Sequence, residues 1–405
     1  MDLVSRIFYF FTPYTDAREQ AVGRFFKGLS EHGNRARTQK KLNQLLQRDI
    51  AVINLWTEYR YKGYHYLRKS QRRKLYANLE LIAADFEHFY ARNRRPASSE
   101  ELTLLRALTD YFSPRRGIYT YRDTSSFGRL LRDPAHEKLV GDCNQIVTLY
   151  IYLYSRYFEV SDLRARVLPG HVALHYKGTD IETTNGTFAD YSRKKGGQLL
   201  PIEEIVSINL LDASDSYLST HEVAAKDLLQ ASRLAFILSH DREIVTRNLQ
   251  AAYGRLINLL MDRNNYSKAL AFAKASHDRG LIGIVGHNGA VYEMNRHYYA
   301  AARRFARHAP KRDELIRSSW QSEGAYHYNA QSYHEAIKAF KHLRDRTLVQ
   351  QCYEALFFQE QAKLGSVLTV ESVKKHKGTV KRMRSYAKKA GNKKLIKYSD
   401  SLRVE

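Results

Sequence analysis

Three residues near the middle of the chain have side-chain types and an order suited to nucleophilic acyl chemistry. Cys143 follows Gly141-Asp142, His171 follows Pro169-Gly170, and Glu182 comes shortly after them. In such a set the histidine takes the thiol proton, and the carboxylate holds the imidazole in the required tautomer. The resulting thiolate can attack the carbonyl carbon of an amide or an ester.

Cys143 is expected at the start of a helix. Asp142 is a good N-cap residue, which places Cys143 in the first helical turn. There the helix dipole favours a thiolate, and the backbone N–H groups could bind an oxyanion. The alternative is a small buried cysteine that only packs. The helix follows from apolar residues at helical spacing, which are Ile146, Val147, Leu149, Tyr150, Leu153, Tyr154 and Tyr157.

His171 and Glu182 are expected on neighbouring strands. Segments 164–168, 171–177 and 180–184 are strand-like, and alternation places Glu182 on the face of His171. A two-residue turn at Gly178-Thr179, however, pairs His175 with Glu182. Glu182 then lies ~13 Å along the strand from His171. With that register the third member becomes Asn185, or Glu182 acting through His175.

Three motifs in this order resemble those of the transglutaminase-like superfamily. They are Gly141-Asp142-Cys143, Pro169-Gly170-His171-Val172 and Ile181-Glu182-Thr183-Thr184-Asn185-Gly186. The resemblance covers about residues 105–215. One departure is that the acid of the family is most often Asp, whereas this chain has Glu.

The resemblance implies a papain-like α+β core, with a cysteine-bearing helix packed on an antiparallel sheet. It implies that Cys143 is the nucleophile, His171 the base and Glu182 the orienting acid. The superfamily includes transglutaminases, cysteine peptidases and amidases, and also inactive members.

Composition and charge restrict the function classes. Two cysteines in 405 residues exclude a disulfide framework and predict a reducing, cytoplasmic environment. No apolar run is long enough to span a membrane, which predicts a soluble protein. The net charge is +24, carried by residues 1–100 (+9) and 221–405 (+16), whereas residues 101–220 are near neutral at −1. These basic flanks could bind an anionic partner. No metal or cofactor signature is present.

The C-terminal half contains a repeat. Tyr266-x-x-Ala269-x-x-x-Ala273 recurs as Tyr298-x-x-Ala301-x-x-x-Phe305 and Tyr333-x-x-Ala336-x-x-x-Phe340. Gly289 and Gly324 precede the second and third copies, and Ile257 stands at that place before the first. The pattern resembles the tetratricopeptide repeat, a helix pair that stacks into a solenoid and implies a protein partner.

The sequence therefore predicts an α-rich α+β protein in four parts. These are a helical N-terminal region (1–97), a transglutaminase-like α+β domain (98–215), tetratricopeptide-like repeats (216–365) and a basic C-terminal capping helix (366–405). A basic cluster in the first part is expected to be a solvated helix face, and it comprises Arg68, Lys69, Arg72, Arg73 and Lys74.

The predicted function is thiol-dependent acyl chemistry on a protein or peptide amide, catalysed by Cys143, His171 and Glu182. The helical repeats would recruit a protein partner. One alternative is an inactive transglutaminase-like scaffold for protein–protein interaction. The other is a basic nucleic-acid-binding protein.

Overall fold

The computed structural model describes residues 11–124, 126–212, 223–365 and 370–402. Contacts divide the chain into two compact units, residues 1–256 and 257–405. The architecture is α-rich α+β, with helices on both sides of a short strand-containing segment. Helices α1 to α6 are Ala17–Lys27, Arg35–Tyr61, Lys69–Asn93, Glu100–Phe112, Cys143–Ser155 and Glu204–Leu211. Helices α7 and α8 are Ala225–Leu238 and Arg242–Asp262.

The strands lie between α4 and α6. A parallel pair is formed by β1 (Tyr119–Tyr121) and β2 (Leu139–Gly141). An antiparallel five-stranded sheet has the order β6-β5-β4-β3-β7. Its strands are β3 (Arg164–Leu168), β4 (His171–Tyr176), β5 (Thr179–Glu182), β6 (Thr187–Ala189) and β7 (Gln198–Pro201). The three central strands match the segments expected from alternation, whereas β1, β2, β6 and β7 were not predicted as strands.

The first unit has one large hydrophobic core. Its buried members run from Val22 in α1 to Val245 in α8. Helix α5 supplies a nearly continuous buried run and packs against β4 and α2. The core crosses both boundaries predicted for this part of the chain, after residues 97 and 215. The N-terminal helices and the sheet are therefore packed as one body.

The N-terminal helices form close to where helical spacing predicts them, but one residue of the basic cluster is buried. Arg72 has no exposed surface, and its Nε is 2.7 Å from Glu19 Oε1. Tyr76 Oη donates to the same oxygen at 2.8 Å. A solvated face for Arg72 was therefore a wrong prediction. Since a buried cation needs a partner, Glu19 in α1 fixes this arginine of α3 inside the core.

The second unit consists of helices in the part of it that the structure describes. They are α9 (Tyr266–Ala275), α10 (Arg279–Asn295), α11 (Tyr299–Ala306), α12 (Arg312–Asn329), α13 (Tyr333–His342) and α14 (Arg346–Ala362). The repeated Tyr/Ala segments form the shorter helices α9, α11 and α13. Successive helices pack against each other along this series, which gives a visible helical repeat.

The glycines of the repeats are contact points between helices. A Cβ on Gly289 would lie 2.7 Å from Phe305 Cδ1, and a Cβ on Gly324 would overlap the Phe340 ring. The first repeat reverses these sizes, because Ile257 and Ala273 take the two positions and are both fully buried. Each pair is separated by the same sixteen residues. By sequence position, the first repeat thus has its larger residue on the first helix of the pair, whereas the later repeats have it on the second.

The C-terminal segment is not one capping helix. It contains α15 (Val370–Lys375), α16 (Lys377–Ala390) and α17 (Lys393–Ser401). Gly391, at φ 69°, ends α16 in a left-handed conformation. Met383 and Ala387 of α16 are buried with Phe357 of α14, so this basic segment is part of the core of the second unit. No helix within the described ranges is both long enough and apolar enough to cross a bilayer.

Candidate functional site

Cys143 is the first residue of α5, held there by a capping box. Asp142 Oδ1 accepts from the N–H groups of Asn144 (2.8 Å) and Gln145 (3.4 Å), and Gln145 Oε1 accepts from the Asp142 N–H at 3.1 Å. This arrangement fixes the start of the helix one residue before the thiol. The N–H groups of Asn144 and Gln145 are therefore already hydrogen-bonded, although first-turn N–H groups were predicted to bind an oxyanion. The Cys143 N–H is then the first-turn donor left for that role.

His171 opens β4 after a tight turn at Pro169-Gly170, where Gly170 has φ 69°. Its Nε2 lies 2.6 Å from Glu182 Oε2. Hydrogen bonding to the Cys143 thiol and then to Glu182 raises the pKa of His171 from 6.5 to about 10. Because Nε2 faces Glu182, Nδ1 is the ring nitrogen available to the thiol. The structure thus pairs His171 directly with Glu182, while the Cys143 thiol donates a long hydrogen bond of 3.9 Å to Asn144 Oδ1.

The register of the β4–β5 hairpin explains how Glu182 reaches His171. Tyr176 pairs with Thr179 and Leu174 with Ile181, so the turn residues are Lys177 and Gly178. The predicted turn at Gly178-Thr179 was wrong by one residue. Both turn residues have positive φ, 42° and 88°, as a two-residue hairpin of this type requires.

That shift changes the distance that the side chains must span. Because Leu174 pairs with Ile181, Glu182 is level with Ala173, two residues from His171 along the neighbouring strand. Two residues correspond to ~7 Å of strand rather than ~13 Å. A diagonal contact of this kind is within reach of long side chains.

Glu182 is almost completely buried and accepts several hydrogen bonds. Thr184 donates to Oε1 from its N–H (3.0 Å) and its Oγ1 (2.5 Å), and Tyr191 Oη donates to Oε2 at 2.5 Å. Burial alone would raise the pKa of Glu182. The donors from His171, Thr184 and Tyr191 outweigh it and lower that pKa to about 2. Glu182 is therefore a carboxylate at neutral pH.

The two alternatives for the third member are occupied elsewhere. Asn185 Oδ1 accepts from Thr187 Oγ1 at 2.6 Å. His175 Nδ1 is 2.8 Å from Asp180 Oδ1, so His175 belongs to a separate carboxylate cluster. Their candidacy depended on the displaced turn, and with the observed register neither replaces Glu182.

A further carboxyl group, that of Asp212, lies at the start of α5 and was not predicted from the sequence. Asp212 accepts from Asn144 Nδ2 at 3.0 Å and from Gln145 Nε2 at 3.4 Å. Burial, and then the proximity of Asp212, raise the pKa of Asp142 to about 7. Asp212 follows α6 and is distant from Cys143 in sequence, so no local pattern indicated it.

The entrance to the site is partly covered. Cys143 is 7% exposed and Tyr119, also nearly buried, donates from Oη to the Gly141 carbonyl at 2.8 Å. Tyr121 pairs with Gly141 across the parallel strands and is 55% exposed. Tyr121 therefore lies at the rim of the site. Throughout residues 11–124, 126–212, 223–365 and 370–402, no three His, Cys, Asp or Glu side chains are placed to hold a metal ion.

No protein-family model and no curated protein matches the chain. Among solved structures, one described as menin revealing the binding site for Mixed Lineage Leukemia protein is similar over 96% of this chain and 97% of that chain. The identity is 13% and the TM-score is 0.29. A similarity at this level supports no conclusion about fold or function here.

Proposed function

We propose that the protein performs thiol-dependent acyl chemistry, with Cys143 as nucleophile, His171 as acid and base, and Glu182 as the residue that orients the imidazole. The observation that carries the proposal is the hydrogen bond between His171 and Glu182, whose Nε2 and Oε2 lie 2.6 Å apart. The nearby Cys143 thiol, followed by Glu182, raises the pKa of His171. A thiol near a histidine that a carboxylate orients is the set of groups that acyl transfer requires.

The protonation states suit this chemistry. A His171 pKa of about 10 keeps the imidazole protonated at neutral pH, so the ring can act as the acid that protonates a leaving group. The thiolate attacks the carbonyl carbon of an amide, and the imidazolium proton passes to the leaving amine as the C–N bond breaks. Neutral His171 then takes a proton from water or from a second amine. That nucleophile displaces the thiolate and releases an acid or a new amide.

The arrangement of elements supports a transglutaminase-like core. Helix α5 carries the thiol and packs against β4, and β4 and β5 carry the other two residues. This chain has Glu182 where the superfamily most often has aspartate. Glu182 is displaced by two residues from His171 along the neighbouring strand, and the longer glutamate side chain spans that offset.

The second unit supports recruitment of a protein or peptide. Its helices alternate in the order expected of tetratricopeptide-like pairs, and Gly289 and Gly324 meet Phe305 and Phe340. Repeats of this kind present extended surfaces to partner chains. We assign the acyl substrate to the class of protein or peptide amides on this basis.

One observation favours a second candidate function. Cys143 is only 7% exposed, which also suits an inactive scaffold that keeps the core but admits no substrate. The scaffold would retain the partly buried His171–Glu182 pair for stability alone.

A generic acyl donor distinguishes the two. Incubation of the full chain with p-nitrophenyl acetate should give a burst of p-nitrophenolate and an acetyl thioester on Cys143, detected by peptide mass spectrometry. Cys143→Ala should abolish the burst, whereas Cys352→Ala should retain it. The scaffold candidate would be preferred if the parent and Cys143→Ala released p-nitrophenolate at equal rates.

A further inference from the structure

A second carboxylate on the same face of the sheet lies beside the candidate triad. Asp180 precedes Glu182 by two residues in β5, so both side chains share a face. Asp180 Oδ1 is 2.9 Å from Arg166 Nε and 2.8 Å from His175 Nδ1. The donors hold the pKa of Asp180 below its usual value in spite of burial. This cluster is anchored to β3 and β4 through Arg166 and His175.

Tyr191 connects the two carboxylates. Its backbone N–H donates to Asp180 Oδ2 at 2.7 Å, and its hydroxyl donates to Glu182 Oε2 at 2.5 Å. Lys194 Nζ lies 4.7 Å from the centre of its ring. The segment after β6 is therefore fixed by its main chain to one carboxylate, and its side chain is directed at the other.

We propose that Tyr191 is a positioning residue that holds the Glu182 carboxylate in the orientation required by His171. Glu182 has one more rotatable bond than the aspartate usual at this place, so its carboxylate loses more conformational entropy when it is fixed. Thr184 holds Oε1 through two donors. Tyr191 and His171 meet at Oε2, so the tyrosine determines where that oxygen lies.

The effect of Tyr191 on turnover rests on the proposed acyl chemistry, but its effect on His171 is measurable without any substrate. In Tyr191→Phe the ring remains and only the donor is lost, so Glu182 Oε2 is less restrained and its bond to His171 weakens. The His171 pKa should fall by about one unit. The rate at which iodoacetamide alkylates Cys143 should differ from the parental rate near pH 9, where this shift lowers the protonated fraction of His171 from about nine-tenths to about one-half.

The matched control is Tyr154→Phe. Tyr154 is fully buried in α5, the helix of Cys143, and its hydroxyl has no hydrogen-bond partner among the residues described. The Tyr154→Phe variant should have the parental His171 pKa and the parental rate of Cys143 alkylation. The His171 pKa is read from the ring resonances of the histidine-labelled full chain, assigned by their loss in His171→Gln. Thermal unfolding followed by circular dichroism verifies that both variants are folded.

The outcomes separate the two proposals. A Tyr191→Phe variant with a parental His171 pKa and alkylation rate would overturn the positioning role. A higher His171 pKa would also overturn it, since Tyr191 would then compete for Oε2 rather than place it. If acyl turnover is present, Tyr191→Phe should lower kcat about ten-fold with KM unchanged. Absence of any acetyl thioester on Cys143 would count against the acyl chemistry alone.

Discussion

Glu182 Oε2 lies 2.6 Å from His171 Nε2 although the two residues are not directly opposite each other on their strands. A diagonal offset of two residues is bridged by the length of the glutamate side chain. An aspartate at position 182 would have one methylene less with which to cover the same offset. The observed register of the hairpin therefore suits a glutamate at position 182 better than an aspartate.

The first prediction concerns the acid. Glu182→Gln should lower acyl turnover at least ~10²-fold, because an amide cannot stabilise the imidazolium as a carboxylate does. Asn185→Ala should retain parental turnover, since Asn185 is bonded to Thr187. The measurement is the steady-state release of p-nitrophenolate by folded variants. The reverse pattern, with only Asn185→Ala impaired, would transfer the third role to Asn185.

The second prediction compares the two cysteines. Cys352 is fully buried, and burial raises the pKa of its thiol to about 11. Cys143 is the first residue of a helix and retains 7% of its surface exposed, whereas Cys352 retains none. Iodoacetamide at pH 7 should label Cys143 at least ten times faster than Cys352, as quantified by peptide mass spectrometry. In 6 M guanidinium the two rates should converge, and equal rates in the folded chain would argue against an activated thiol.

The third prediction is a pH dependence of stability. The folded-state pKa of His171 is raised from 6.5 to about 10, so the folded chain retains a proton that the unfolded chain releases. The stabilisation is complete below pH 6.5 and is lost as the pH rises through about 10. His171→Gln should therefore be less stable than the parent by about 1–3 kcal/mol at pH 6, with a smaller difference above pH 10.

Urea unfolding at several pH values measures this difference. His136→Gln is the matched control, since the His136 side chain is 77% exposed and pairs with Asp133 at the surface. A His171→Gln deficit that stays constant from pH 6 to pH 11 would contradict the assignment of the raised pKa to this residue.

The fourth prediction tests the packing of the repeats. Gly324→Ile should destabilise the second unit by about 1–3 kcal/mol or more, because the added side chain overlaps Phe340. Gly324→Ile combined with Phe340→Ala recreates the pair Ile257 and Ala273 and should recover most of the loss. Thermal unfolding of the two single variants and the double variant gives the coupling. Additive losses would show that the two positions do not share one space.

The fifth prediction concerns anionic partners. Removing the C-terminal helices would expose Phe357 and unfold the surroundings of Met383, so charge rather than length should be changed. Replacing Lys388, Lys393 and Lys394, which are exposed, by Gln should weaken binding to a single-stranded oligonucleotide. In a plot of the logarithm of the binding constant against the logarithm of the salt concentration, the slope is negative. Its magnitude should decrease by about 0.7 for each phosphate that is no longer neutralised by a lysine.

The charge-conserving Lys→Arg variant at the same three positions is the control for this experiment and should bind as the parent does. Binding that did not respond to salt between 50 and 200 mM would exclude contacts of this basic segment with phosphates, on the grounds that such contacts release counterions.

Much of the fold was accessible from local patterns. The N-cap at Asp142, the strands around His171 and the repeated Tyr/Ala helices all follow from spacing and capping chemistry. The position of the hairpin turn did not, because Lys177 adopts a left-handed conformation that sequence statistics assign to glycine or asparagine. A shift of one residue then altered the expected acid.

Tertiary contacts account for the rest. Tyr191 and Asp212 reach the site from segments with no motif of their own. In the sequence, Arg72 belongs to a cluster of cations that is typical of a surface. In the structure it is buried and paired with Glu19 of another helix. Such pairings depend on which helices and loops meet, and a single sequence contains no local signal for that.

The larger residue lies on the first helix of the pair in Ile257/Ala273 and on the second helix in Gly324/Phe340. This difference restricts which helices of the array could be combined. A recombination that joined the first helix of one repeat to the second helix of the other would combine Ile with Phe, which clash, or Gly with Ala, which leave a void. Intact helix pairs keep their matched residues. The helix pair, rather than the single helix, is therefore the unit of packing in this array.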